Sequence, residues 1–137
     1  MDGFTLCETL AADTIAVGDL DLCSVRLMDE SRFPWLVLVP RRPDLAEITD
    51  LEPADATALM GEIQVAARVM ADLSRPDTIN LGSLGSLVPQ FHLHVVGRFR
   101  SDPAWPGPVW GHGTRVPYPH HAGTLLVDRA AFLFSQA

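Results

Sequence analysis

The chain contains no lysine; all ten of its basic residues are arginines. A Schiff-base mechanism and a Walker-type phosphate loop both need the lysine amine, so both are excluded. Cysteine is nearly as scarce. Cys7 and Cys23 stand alone without Cys-x-x-Cys spacing, which reads as two isolated thiols rather than a disulfide or a redox pair. Long apolar runs are also missing. A run such as Trp35 to Pro40 has the length of a strand, far short of the roughly 20 apolar residues that span a bilayer, so no membrane partner is expected. The opening Met-Asp-Gly-Phe-Thr lacks the basic and apolar regions of a secretion signal, and a cytoplasmic location is the expectation.

What is present points to a folded protein. At 137 residues, 47% hydrophobic and 20% charged, the composition excludes a disordered chain and predicts a single domain over residues 1–137. The net charge of −7 opposes binding to the phosphate backbone of a long nucleic acid. That charge is unevenly spread. Residues 1–77 carry 15 acids and 6 arginines, whereas residues 78–137 carry 2 acids, 4 arginines and all five histidines. A small anionic ligand is therefore better received by the second part.

Alternation over Leu22 to Met28 followed by the apolar run Trp35 to Val39 predicts two strands joined at Asp29-Glu30-Ser31-Arg32. Asp50 is placed to cap a helix that runs to about Leu73, with Pro53 in its first turn. Leu59, Ile63, Ala66, Met70 and Leu73 recur at helical spacing and mark its buried stripe. A short strand over Thr78 to Leu81, a loop through Gly82-Ser83-Leu84-Gly85-Ser86 and a strand over Gln90 to Val96 follow. Ser101 to Pro119, rich in proline and tryptophan, reads as an irregular loop, and Thr124 to Gln136 as a short helix. Residues 1–20 are weakly patterned. The sum is an α+β domain.

The chemistry concentrates in Gln90-Phe91-His92-Leu93-His94-Val95-Val96. On a strand, Phe91, Leu93 and Val95 turn to the core, and Gln90, His92 and His94 share the other face. A neutral imidazole can attack phosphorus, and a pair of them can also manage protons. Two other readings stand beside this one: a half-exposed strand bearing two histidines, and a metal site with His112, His120 or His121 as third ligand. Upstream lies Asn80, the single asparagine, followed by a Gly-Ser loop whose N–H groups can hold an anion.

This order of asparagine, Gly-Ser loop and alternating histidine strand resembles the histidine-triad (HIT) nucleotide hydrolases and transferases. The family motif His-φ-His-φ-His-φ-φ, with φ apolar, is met here with Gln90 in place of the first histidine. The resemblance covers residues 15–98, and Trp105-Pro106-Gly107-Pro108-Val109-Trp110 is associated with a bacterial subgroup. It implies an antiparallel sheet of about five strands with one long helix and a short C-terminal helix.

It further implies that His92 is the nucleophile on an α-phosphorus, that His94 contacts the phosphate and helps with protons, and that Gln90 orients its neighbours without titrating. Asn80 and Ser86 match positions that touch phosphate or leaving group, and Asp29 is the nearest candidate for the ribose. Arg98 and Arg100 share the face of His94 and can neutralise phosphate, although arginines at strand ends are often only solvated. Trp105 and Trp110 can stack on a base, although proline-flanked tryptophans more often anchor a loop by burial. The implied ligand is a nucleotide or a dinucleoside polyphosphate-like small molecule, the implied assembly a homodimer with joined sheets, and neither cofactor nor metal is required. A nucleotide-binding module weakened by Gln90 is the alternative.

Overall fold

The structure is a computed structural model and describes residues 3–137. Helix α1 (Glu8–Asp13) leads into strands β1 (Thr14–Asp19), β2 (Cys23–Met28) and β3 (Trp35–Pro40), and the long helix α2 (Pro53–Ser74) follows a single 3-10 turn at Ile48–Asp50. Strands β4 (Thr78–Gly82) and β5 (Leu93–Arg98) and helix α3 (Ala122–Ser135) complete the fold. The five strands form one sheet in the order β1-β2-β3-β5-β4, every neighbouring pair antiparallel. This is the α+β architecture that the patterning predicts.

Strand β3 sits at the centre and is buried along its whole length, which explains why it reads as a continuous apolar run. Its Leu36 and Leu38 join Val25 and Leu27 of β2, Leu93 and Val95 of β5 and the stripe of α2 in one core. Trp35, Val37 and Val39 point the other way, into a second cluster with Leu10, Phe33, Val96 and Val109. Helices α2 and α3 cover the first face. The N-terminal segment and the late loop cover the second, contributing Phe4, Leu6 and Cys7 on one side and Ala104 and Trp110 on the other.

Several boundaries differ from the expectations. Asp50 does not cap α2, because its carboxylate accepts hydrogen bonds from the N–H groups of Ala46 and Glu47 within the 3-10 turn, and Glu52 precedes the helix instead. In the stripe, Val69 is buried beside Met70, whereas Leu73 is only half-buried near the helix end. The helix stops at Arg75, whose φ of 50° is left-handed and whose N–H closes onto the Ala71 carbonyl, with Pro76 next. The weakly patterned first 20 residues contain α1 and the edge strand β1. An edge strand that is half exposed, with a register shift between Ala16 and Gly18, carries little period-2 signal.

The most consequential correction concerns the motif strand, which begins at Leu93 and not at Gln90. Pro89 cannot donate a ladder hydrogen bond, and residues 88–92 run as an irregular approach to the sheet.

Candidate active site

His92 is the last residue of that approach, and His94 is the second residue of β5. Both rings are almost fully buried, at 5% and 4% exposure, and stand 4.9 Å apart in an edge-to-face arrangement. As the alternation predicts, they lie opposite Phe91, Leu93 and Val95, which belong to the helix-side core.

Each imidazole has one nitrogen engaged by the protein. His92 Nδ1 lies 2.7 Å from the backbone carbonyl oxygen of Gln90. A carbonyl only accepts, so Nδ1 carries the proton, and in the neutral ring the lone pair is on Nε2. His94 is fixed in the opposite sense. The indole Nε1–H of Trp35 donates to His94 Nδ1 over 2.9 Å, so the neutral ring carries its proton on Nε2. Burial, with the adjoining His92 as the lesser cause, pushes His94 down to about 3 and keeps it neutral.

The two rings open on a cavity of about 610 Å³. Met28, Glu30, Arg32 and Trp35 supply one wall, Ser86 to Val88 a second, and Val109 to Gly113 with Arg115 a third. Asp13, at the end of α1, also reaches it. Glu30 is only 2% exposed; burial works against its charge, but the Arg32 guanidinium and backbone N–H outweigh burial and hold the carboxyl below its usual range. The same guanidinium donates to the His112 carbonyl over 2.8 Å, and Arg115 donates to the Asp29 carbonyl over 3.0 Å. The late loop is thereby tied to the β2–β3 turn. Trp110 rests on β4, where a Cβ on Gly82 would come within 2.8 Å of its ring, so this glycine makes room for an indole. The buried Nε1–H of Trp110 has no hydrogen-bond partner.

Of the residues singled out from the sequence, His92, His94, Ser86, Trp110 and His112 line the cavity. Gln90, Asn80, Arg98 and Asp29 do not, and each has another occupation. The Gln90 side chain accepts from the Cys7 N–H and donates to the Thr5 carbonyl, both at 2.8 Å; it holds the N-terminal segment, and only its backbone holds His92. Asn80 stands opposite Val96 and diagonal to Arg98, so its Oδ1 accepts from Arg98 at 2.7 Å. Arg98 is a buried cation rather than a solvated strand end, paired with Asp102 at 2.8 Å and lying between the rings of Phe33 and Trp105. The paired Arg98 holds Asp102 down to about 2. Asp29 accepts from the Tyr118 N–H at 2.9 Å. Arg100 is exposed, its N–H donating to Asp77.

Sequence reading missed Trp35, Glu30, Arg32 and Arg115. Trp35 was visible only as the start of an apolar run, and no spacing rule couples it to a histidine 59 positions later. Among the described residues, no group of three His, Cys, Asp or Glu side chains is placed to hold a metal, and His120 and His121 stack on each other at the start of α3. No helix among them is long and apolar enough to cross a membrane.

The HIT domain family model matches residues 9–101. The chain belongs to the HIT family. Solved HIT proteins share its fold over nearly the whole chain. The one from Sinorhizobium meliloti is 42% identical, covering 93% of this chain and 94% of its own, with a TM-score of 0.90. The one from Marinobacter aquaeolei is 40% identical, covers 97% of each chain and has a TM-score of 0.93. The HIT protein of Bradyrhizobium japonicum is 36% identical with a TM-score of 0.93, over 96% of this chain and 98% of its own. Among curated proteins, an AP-4-A phosphorylase of Mycobacterium tuberculosis is 40% identical over 75 residues, which is 49% of this chain and 37% of that protein. This HIT chain therefore matches little more than a third of the length of that relative.

Proposed function

We propose that this HIT protein is a nucleotide-processing enzyme that cleaves an α-phosphate bond of a nucleotide derivative, of the dinucleoside polyphosphate kind, through a nucleotidyl-histidine on His92. One observation carries the reading: the Gln90 carbonyl holds the proton of His92 on Nδ1, which leaves a lone pair on Nε2 of a ring that lines the cavity. A nucleophile needs that lone pair in place before substrate arrives. The name of the phosphorylase relative supports a nucleotide substrate.

In this reading His92 attacks phosphorus, the leaving group departs, and water releases the nucleoside monophosphate, so two easier steps replace one hard one. His94 Nε2–H and Ser86 hold the non-bridging oxygens as charge builds on them. Trp110 meets the nucleoside. The enzyme is cytoplasmic and works without metal as a homodimer joined at β4, an edge strand whose Leu81, with Leu84 and Leu87 beyond it, is exposed.

Rapid quench with an adenylated substrate followed by peptide mass analysis should find adenylate on His92. His92→Ala should lose at least about a hundredfold in rate, the scale of a nucleophile rather than a helper. Adenylate on His94 would overturn the assignment, and binding of nucleotide with no turnover would make the protein a binding module. Activity should persist in chelator; stoichiometric zinc or iron whose removal abolishes turnover would contradict the scheme. Inorganic phosphate added to the assay separates hydrolysis, which yields the monophosphate, from transfer to phosphate, which yields the diphosphate.

A further inference from the structure

We propose that Trp35 is a positioning residue that fixes His94 as a permanently neutral hydrogen-bond donor, and that the site consequently cleaves phosphoric anhydrides in preference to phosphoramidates and alkyl phosphate esters. The proposal rests on His92 being the nucleophile.

An indole N–H donates and never accepts, so the bond from Trp35 Nε1 leaves His94 Nδ1 without a proton for as long as it persists. Protonating His94 there would set two N–H groups against each other in a buried place. The register builds this in, because Val37 lies opposite His94 and Trp35 opposite Val96, which makes Trp35 the diagonal neighbour of His94 on one face. Trp110 closes the next side of the ring at 5.6 Å, Gly82 faces His94 from β4, and the His92 ring stands beside it at 4.9 Å. His94 can thus donate its Nε2–H to an oxygen but cannot cycle a proton.

Gln90 does not supply one either. Its amide does not titrate, and both of its polar atoms are held by the backbone of Thr5 and Cys7. Of the carboxylates lining the cavity, Glu30 is paired with Arg32 at 2.6 Å and Asp13 lies 3.5 Å from Arg115. His112 lines the rim, with its backbone carbonyl held by Arg32. Where the family motif has three imidazoles, this chain has the amide of Gln90 and a His94 whose Nδ1 is taken by an indole N–H.

The consequence falls on the leaving group. His92 Nε2 bonds to the α-phosphorus, the bond from phosphorus to the leaving oxygen breaks, and the electron pair departs on that oxygen. A phosphate is stable as the resulting anion. An amine cannot leave as an amide ion in neutral water, and an alkoxide leaves poorly, so both need a general acid. In the second step water oxygen bonds to phosphorus, the pair of the P–N bond returns to Nε2, and the water proton passes to solvent.

Two measurements test this. Nitrogen-15 spectra of the histidine rings should show His94 with a bare Nδ1 and a protonated Nε2, unchanged over about pH 5 to 8, the range in which an ordinary histidine changes charge. In Trp35→Phe, which keeps a ring and removes the donor, the fixed tautomer should be lost and the His94 proton should be found on either ring nitrogen. In turnover, diadenosine diphosphate should be cleaved at least about a hundredfold faster than adenosine 5′-phosphoramidate, the size of a missing general acid. A parent His94 that titrates between these pH limits overturns the proposal. So does phosphoramidate cleavage within about tenfold of the anhydride, whether or not His112→Ala removes it. If no substrate leaves adenylate on His92, the function assigned above fails, and the spectra of His94 still judge the role of Trp35.

Discussion

On the helix side of the sheet, Leu36, Leu38, Leu93 and Val95 pack on the α2 stripe of Leu59, Ile63, Ala66 and Met70. On the other side the same strands present Trp35, Val37, His94 and Val96 to the N-terminal segment with α1 and to the late loop. The first face is held by apolar burial, which is non-directional and tolerates small shifts. The second combines burial with directional contacts: Trp35 to His94, Gln90 to the N-terminal backbone, Arg98 to Asn80 and Asp102, Arg32 to Glu30 and the late loop. Both faces contribute stability, but only the second also sets geometry. The cavity lies on the face where position matters to within a hydrogen bond.

The largest effect expected is on the directional side. Asp102→Ala strands the buried Arg98 without its partner, and chemical unfolding should register a loss of about 3–5 kcal/mol, the range for breaking a buried pair from one side. Because Asp102 is held down to about 2 from an ordinary value of 3.8, its stabilisation is present above the ordinary value and fades as pH falls toward the lower one. The acid side of the parent's stability profile should slope there, and the variant's should be flatter. An unchanged profile would mean that the pair contributes nothing.

On the helix side, Leu38→Ala removes a fully buried side chain and should cost about 2–5 kcal/mol while leaving the ring nitrogens of His92 and His94 in their parent tautomers. Altered histidine spectra would show that the two faces are coupled more tightly than their separate packing implies.

Gly82→Ala sharpens the comparison, since its new methyl must displace the Trp110 ring rather than settle into an apolar gap. A cost of about 1–3 kcal/mol is expected together with a change in tryptophan fluorescence and weaker nucleotide binding. Unchanged fluorescence and affinity would place the indole of Trp110 outside the binding site.

The smallest effect is expected from Gln90→Ala, which deletes the two hydrogen bonds to Thr5 and Cys7 but keeps the backbone carbonyl that orients His92. About 1–2 kcal/mol should be lost, and the amide of Cys7 should exchange with solvent faster. The His92 tautomer should survive. If it does not, the side chain of Gln90 controls the nucleophile more directly than its contacts indicate.

The sequence by itself determined which residues face which way. Helical spacing marked Leu59, Ile63, Ala66 and Met70, strand alternation set His92 and His94 against Phe91, Leu93 and Val95, and proline marked the late loop. These are local properties, because each follows from the repeat of one element. It also carried the motif that identifies a HIT protein, and with it Ser86 and Trp110 as cavity residues. Only the tertiary structure decided what the polar side chains do. Trp35 meets His94 through the β3–β5 register, Asn80 meets Arg98 through the β4–β5 register, and Gln90 meets Cys7 across 83 positions of sequence. A hydrogen bond depends on two side chains being within about 3 Å in the right orientation, and periodicity along one element carries no information about its partner on another.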